Sequence, residues 1–282
     1  MITQLTITRR VPLVGVDPLV LPILDSENAQ FRVTDIQGLG PVTAELNSTP
    51  FGVRAGEAPG SKIIGKRNIV ISLQPNPDWA VESITTLRQE LYKYFLPASD
   101  VILEFESEEL PDVHITGTVE SMEPNQFSED PEIQISVLCF DPPFVSEVEG
   151  SVSGEFTEAA TPTEITNAGT EYVGFVMTIE TPGAGSYGDD LTLYVNDESN
   201  KLVIFDVDLN KDNKYILNTI SGQRSITAYD ELTDLTTSVL NHIDPPINWL
   251  QLAPGVNQFY ARTDDGTPVD FTLEFQNLYG GL

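Results

Sequence analysis

The chain has 282 residues, with 43 Asp plus Glu against 14 Lys plus Arg and a net charge of −29. An apolar fraction of 40% supports folded cores, so wholesale disorder is excluded despite the charge. So acidic a chain is unsuited to wrapping nucleic acid or coating an anionic membrane, and its one cysteine excludes a disulfide framework or a thiolate-rich zinc site.

Leu5 to Arg10 reads as a first strand. Val11 to Leu24 is the longest apolar stretch and follows Arg9-Arg10, but Pro12, Asp17, Pro18 and Pro22 break it. DSENAQ after it is no small-x-small cleavage site. The stretch is also too short to span a bilayer, so the expectation is a soluble protein made in the cytosol, without membrane insertion. Gln30 to Gln37 reads as a strand that runs into the Gly38-Leu39-Gly40-Pro41 turn. Thr49 to Gly65, rich in glycine and broken by two prolines, reads as a long loop or an extended hairpin. Arg67 to Leu73 alternates Ile69, Ile71 and Leu73, a half-buried strand.

One helix is expected, from Asp78 to Phe95. Asn76 offers a cap, Pro77 suits the first position and Asp78 favours the N-terminus. Trp79, Ile84, Leu87, Leu91 and Phe95 then form an apolar face, which places Trp79 in the core. Strands follow at Val101–Glu106, His114–Met122 and Glu132–Phe140, ending in the apolar run VLCF and Asp141-Pro142-Pro143. The Ser, Gly, Val and Glu-rich stretch from Ser146 to Gly154 marks a domain boundary, giving domains 1–145 and 146–282.

The second part reads as strands at Tyr172–Glu180, Leu191–Val195, Lys201–Val207, Tyr215–Ile220, Ser225–Tyr229, Asn248–Leu252, Gln258–Arg262 and Val269–Gln276. Short strands at close spacing suggest a β-sandwich or jelly roll. Asp265-Gly266 predicts a hairpin between the last two.

Motifs that resemble chemistry have simpler explanations. Gly183-Ala184-Gly185-Ser186-Tyr187-Gly188 has dinucleotide-loop spacing, but Asp189-Asp190 and the strand LTLYV follow where a helix is needed. Asp206, Asp208, Asn210 and Asp212 copy calcium-loop spacing, yet Lys211 replaces the glycine and Leu217 the closing glutamate. His114 and His242 lie in no metal or hydrolase motif. Glu104, Glu106, Glu108 and Glu109 read as a solvated strand edge, and Cys139 as a small core residue. Trp249, Tyr172, Tyr187, Tyr194, Tyr260 and Tyr279 suit core packing, or a sugar-stacking platform if exposed. No catalytic, cofactor or metal site is expected.

The order of elements resembles the distal tail protein (Dit) family of long-tailed bacteriophages. The features that carry it are FRVTDIQGLG, the segment FGVRAGEAPGSKIIGKR, RNIVISL, DWAVESITTLRQELYKYF, the ending ISVLCFDPPF, and the far turn WLQLAPGVN followed by two strands. The resemblance implies a mainly β fold. Its N-terminal domain would be a tail-tube-like β-sandwich with one flanking α-helix and a long hairpin. Its C-terminal domain would be a galectin-like β-sandwich, or jelly roll. It implies a structural virion protein, not an enzyme: a homo-hexameric ring at the tail tip. The ring would join the tail tube protein to a hub protein and to receptor-binding or other baseplate proteins, and DNA would only pass through its lumen. Phe51, Arg54, Lys62, Ile64, Lys66 and Arg67 are then the candidates for contact with a neighbouring subunit. The basic residues among them are four of only 14 in the chain. The alternatives are a carbohydrate-binding host-recognition module of the tail, or another baseplate or tail-tube component. Both halves are acidic, with 9 basic and 23 acidic side chains in residues 1–150 and 5 and 20 in the rest.

Overall fold

The computed structural model describes residues 1–24, 27, 29–52, 55–125, 131–156, 162–180, 188–208, 213–263 and 269–282. These divide into two compact units, Met1–Glu147 with Tyr279–Leu282, and Val148–Leu278. The fold is mainly β, built of antiparallel sheets with a single α-helix among the described residues.

The first unit contains β1 (Ile2–Arg9), β2 (Leu19–Pro22), β3 (Phe31–Gln37), β4 (Ala44–Pro50), β5 (Glu57–Ile64), β6 (Arg67–Pro75), α1 (Ile84–Leu91), β7 (Asp100–Ser107), β8 (Val113–Pro124) and β9 (Ile133–Cys139). Seven strands form an antiparallel sheet in the order β2-β1-β7-β8-β9-β6-β3. The sheet curls so that β2 approaches β3. Period-two alternation decides which side faces in. Ile69, Ile71 and Leu73 of β6 lie directly opposite Val137, Ile135 and Ile133 of β9, and all six are buried. Leu103 and Phe105 of β7 oppose Ile115 and Val113 of β8 in the same core. Gly117 of β8 makes room for side chains of the neighbouring strand β9: a Cβ there would lie 2.5 Å from Val137 Cγ1 and 2.8 Å from Cys139 Sγ.

The helix is shorter than the sequence signals suggest. It starts at Ser83, whose hydroxyl accepts the Thr86 N–H at 3.2 Å. Asn76, Pro77 and Asp78 lie before it, because the Asp78 carbonyl accepts Val81 N–H at 2.9 Å and Glu82 N–H at 2.8 Å and closes a separate turn. Leu87, Leu91, Tyr94 and Phe95 join the core, but Trp79, which precedes the helix, does not.

The stretch read as a domain boundary is a continuous 13-residue strand, β10 (Phe144–Phe156), which begins in the first unit and runs into the second. The second unit adds β11 (Thr163–Asn167), β12 (Val176–Glu180), β13 (Gly188–Val195), β14 (Leu202–Asp208), β15 (Asn213–Asn218), β16 (Ser225–Asp230), β17 (Leu235–Ser238), β18 (Gly255–Thr263) and β19 (Val269–Tyr279). One sheet runs β17-β16-β15-β12-β19-β10 and the other β11-β18-β13-β14. Their inner faces share one core, in which Phe259 of β18 packs on Phe175 at 6.0 Å and on Phe271 of β19 at 5.4 Å.

Two readings change here. β18 and β19 do not form a hairpin, since they belong to different sheets and face each other across the core. Asp265-Gly266 itself lies outside the described residues. Asn248–Leu252 is no strand either. It is tied by reciprocal backbone bonds between Val173 and Leu252, at 3.0 and 2.8 Å, which bury Leu250 and Leu252.

Candidate assembly interface

Between β3 and β6 the chain leaves the sheet and forms a separate two-stranded ribbon of β4 and β5. The ribbon starts at Ala44, five residues before the expected loop, and pairs Ala44 with Ile64, Glu45 with Ile63 and Leu46 with Lys62. Asn47 Nδ2 donates to Ser61 Oγ at 2.8 Å, Ser48 Oγ donates to the Glu57 carboxylate, and Phe51 N–H bonds the Gly56 carbonyl at 3.1 Å near the tip. Every residue of β4 is exposed, as are most of β5. Among the described residues each strand pairs only with the other, which leaves both outer edges open to another chain.

Of the candidate contact residues, Lys62, Ile64 and Lys66 are exposed and Phe51 is half-buried. Arg54 lies outside the described residues. Leu46, at 70% exposure, and Ile63 join them, although nothing in AELNST distinguishes Leu46 as an apolar position with a partner. Among the described residues the lysine ion pairs are those of Lys93 with Glu90 and of Lys214 with Glu180 and Glu231. Lys62 and Lys66 thus have no ion-pair partner among the described residues.

Arg67 is not part of this surface. It is 2% exposed, and its guanidinium is spent inside the unit. Nε donates to the Pro142 carbonyl at 2.7 Å, Nη1 to the carbonyls of Gly38 at 2.5 Å and Gly40 at 2.7 Å, and Nη2 to that of Gly280 at 2.7 Å. The group also lies 4.4 Å from the centre of the Phe144 ring, a cation–π contact. Arg67 thus fixes the root of the hairpin, where Gly38 turns with a positive φ of 86°. An open cleft of about 500 Å³ beside it is lined by Pro41, Thr43, Glu45, Lys66 and Asn68, among others. Burial lowers the Arg67 pKa below its ordinary value, and the facing Cys139 opposes that shift. Cys139 is wholly buried, and desolvation pushes its thiol up to about 11 against the pull of Arg67.

The other residues singled out in the sequence do not converge. His114 Nδ1 lies 2.6 Å from the Glu147 carboxylate. Asn210, Asp212 and Gly183 to Tyr187 lie outside the described residues, as do the side chains of Asp206 and Asp208. Among the described residues no group of His, Cys, Asp and Glu is placed to hold a metal ion. No helix among them is long and apolar enough to cross a membrane. Of the aromatics, Tyr279 is buried in the first unit and Trp249 packs against the core of the second. Tyr194 and Tyr260 are opposite each other on β13 and β18, stacked at 4.5 Å and half-buried, and Tyr172 is exposed.

No protein-family model matches the chain, and no curated protein sequence does. Solved structures do. The Dit protein (gp 19.1) of phage SPP1, described as a paradigm of the hub adsorption apparatus in Gram-positive-infecting phages, superposes with a TM-score of 0.65 at 15% identity. The match covers 97% of this chain and 98% of that one. Two structures of the phage p2 baseplate in its activated conformation, with Ca and with Sr, give TM-scores of 0.43 and 0.41 at 12% identity. At such low identity the likeness to SPP1 Dit speaks to fold, and the chain has a Dit-like fold along nearly its whole length.

Proposed function

We propose that this chain is a structural virion protein of a phage tail tip, a distal tail protein whose six copies form a ring. The ring joins the tail tube to the host-adsorption apparatus. Residues 1–145 form it, and residues 146–282 are the module that holds baseplate or receptor-binding proteins. The single observation that supports this best is the fold likeness to SPP1 Dit over 97% of the chain. The open-edged hairpin agrees with it, because a ring of identical subunits needs a head-to-tail contact, and free strand edges supply main-chain hydrogen bonds to a neighbour. A charge of −29 per chain agrees as well, since an acidic lumen gives passing DNA few cations to hold.

Light scattering with negative-stain imaging of the purified chain tests the reading. The expected particle is a ring with a central hole and a mass of about 186 kDa, six chains of 31.0 kDa. A chain that stays a 31.0 kDa monomer, alone and with purified tail tubes, overturns it.

The stacked Tyr194–Tyr260 pair and the exposed Tyr172 favour a second reading, glycan recognition by the second unit. Saturable binding of host-wall polysaccharide that is lost in Tyr260→Ala supports it, and no binding by the intact chain rejects it.

A further inference from the structure

Two exposed surfaces of the first unit complement each other, and neither is covered by another part of the chain among the described residues. One is the side of the hairpin that carries Ala44, Leu46, Lys62 and Ile64. The pairings Ala44–Ile64 and Leu46–Lys62 are directly opposite, which places these four residues on one face. The other is the turn before α1. Trp79 is 73% exposed there, Val81 is exposed beside it, and Asp78 and Glu82 flank them.

The turn is rigidly built. Besides its two backbone bonds, Asp78 Oδ1 accepts the Ala80 N–H at 3.0 Å, and Glu82 Oε1 accepts Gln30 Nε2 at 2.6 Å. A tryptophan presented on a fixed turn loses little conformational freedom when a partner covers it, and buried indoles are frequent anchors of protein interfaces.

We infer that the Leu46, Lys62 and Ile64 face of one copy's hairpin docks on the Asp78–Glu82 turn of the next copy, with Trp79 as its apolar anchor. Charge selects this pairing. Two chains of net −29 repel over most of their surfaces, and Lys62, which has no ion pair among the described residues, set beside acids is one of the few attractive combinations they have. Contact of either patch with its own copy sets lysine against lysine or acid against acid. The favoured contact is therefore heterologous, as a ring requires. The inference rests on the ring reading and adds the contact that closes it.

Two measurements on the full chain test it, each read beside the mass of the same sample by light scattering. In Trp249→Phe, Trp79 is the one remaining tryptophan. On assembly its emission moves to shorter wavelength and its quenching by acrylamide falls several-fold. The second measurement uses cysteines, since native Cys139 is buried and does not compete. Leu46→Cys combined with Trp79→Cys gives a ladder of disulfide-linked oligomers on mild oxidation, whereas each single variant gives none. Rings in which Trp79 stays quenchable and no ladder forms overturn this contact and leave the ring reading standing. A chain that never assembles overturns both.

Discussion

Arg67 donates through Nη2 to the carbonyl of Gly280 at 2.7 Å, across 213 positions of sequence. The same guanidinium holds carbonyls at both ends of the Gly38–Gly40 turn and at Pro142. A hydrogen bond to a charged group contributes about 1.5–3 kcal/mol, so a buried guanidinium that makes four of them is a sensitive polar position of the first unit. Arg67→Met keeps an apolar stem over Phe144 and removes every donor. The expected loss is about 3 kcal/mol or more, read as a lower urea midpoint. Arg67→Lys recovers only part of it, because one ammonium cannot replace a planar fork of donors.

The neighbouring thiol gives a chemical readout of the same site. Cys139 lies opposite Arg67 on β9 with its pKa raised from 9.0 to about 11, desolvation outweighing the guanidinium. A shift of two units cuts the reactive thiolate about 100-fold at pH 8, before any loss of access. The native chain therefore resists Ellman's reagent at that pH and reacts with one equivalent once unfolded in urea. The sign of the linkage follows. Between pH 9 and 11 the unfolded thiol has given up its proton while the native one keeps it, so this group's contribution to stability falls as pH rises through that window. Arg67→Met removes the stabilising charge and slows the native reaction further, unless the site opens. A faster native reaction in that variant reports a loosened hairpin root.

How far the sequence could be read depended on whether side chains or backbone decide an element. β6 and β9 are legible because Ile69, Ile71 and Leu73 alternate, as do Ile133, Ile135 and Val137, and each set needs the other for burial. β4 is not legible, since AELNSTP has no alternation and every residue is exposed; only its backbone pairing with β5 makes it a strand. β11 hides for a similar reason, with Ile165 as its one buried apolar side chain. In β10, Gly150 and Gly154 read as linker residues, yet they lie under the rings of Phe275 and Phe271, which supply the packing that glycine lacks. The helix is capped by Ser83 rather than by the expected Asn76, which puts Trp79 before the helix and on the surface instead of in the core. Arg67 looked like one more cation on a basic hairpin. Its acceptors come from three distant segments, and no local pattern announces them.

Asn257 tests the one far-end motif that the sequence did display. Its side chain is wholly buried. Oδ1 accepts the Ala253 N–H at 3.0 Å and Asn196 Nδ2 at 3.1 Å, while Nδ2 donates to the carbonyls of Ala253 at 2.8 Å and Gly255 at 3.0 Å. It thus bridges the Pro254-Gly255 turn internally, where Gly255 takes a φ of +91°. Asn257→Leu has similar volume and none of these bonds. It costs about 2–3 kcal/mol in urea denaturation through orphaned backbone groups, and it leaves the first unit's Cys139 as protected as before.

Glu104 predicts a pH dependence of the same sign as that of Cys139, but in the acid range. It lies on β7 between the buried Leu103 and Phe105, opposite His114 on β8. Its pKa is raised, first by desolvation, then by the negative charge of Glu147 and of Glu106, with His114 opposing. An acid whose folded pKa lies above its unfolded value weakens the fold once both states are ionised. The loss sets in as pH rises through the unfolded value, about 4.3, and is complete above the raised native one. Glu104→Gln removes that cost at pH 7 and keeps the side chain's shape. The expected gain is under about 1 kcal/mol, because water still reaches the group. It vanishes at about pH 4, where Glu104 is largely protonated in both states. Urea midpoints of the two proteins at both pH values check this. A gain of equal size at each pH assigns the effect to packing and rejects the electrostatic account.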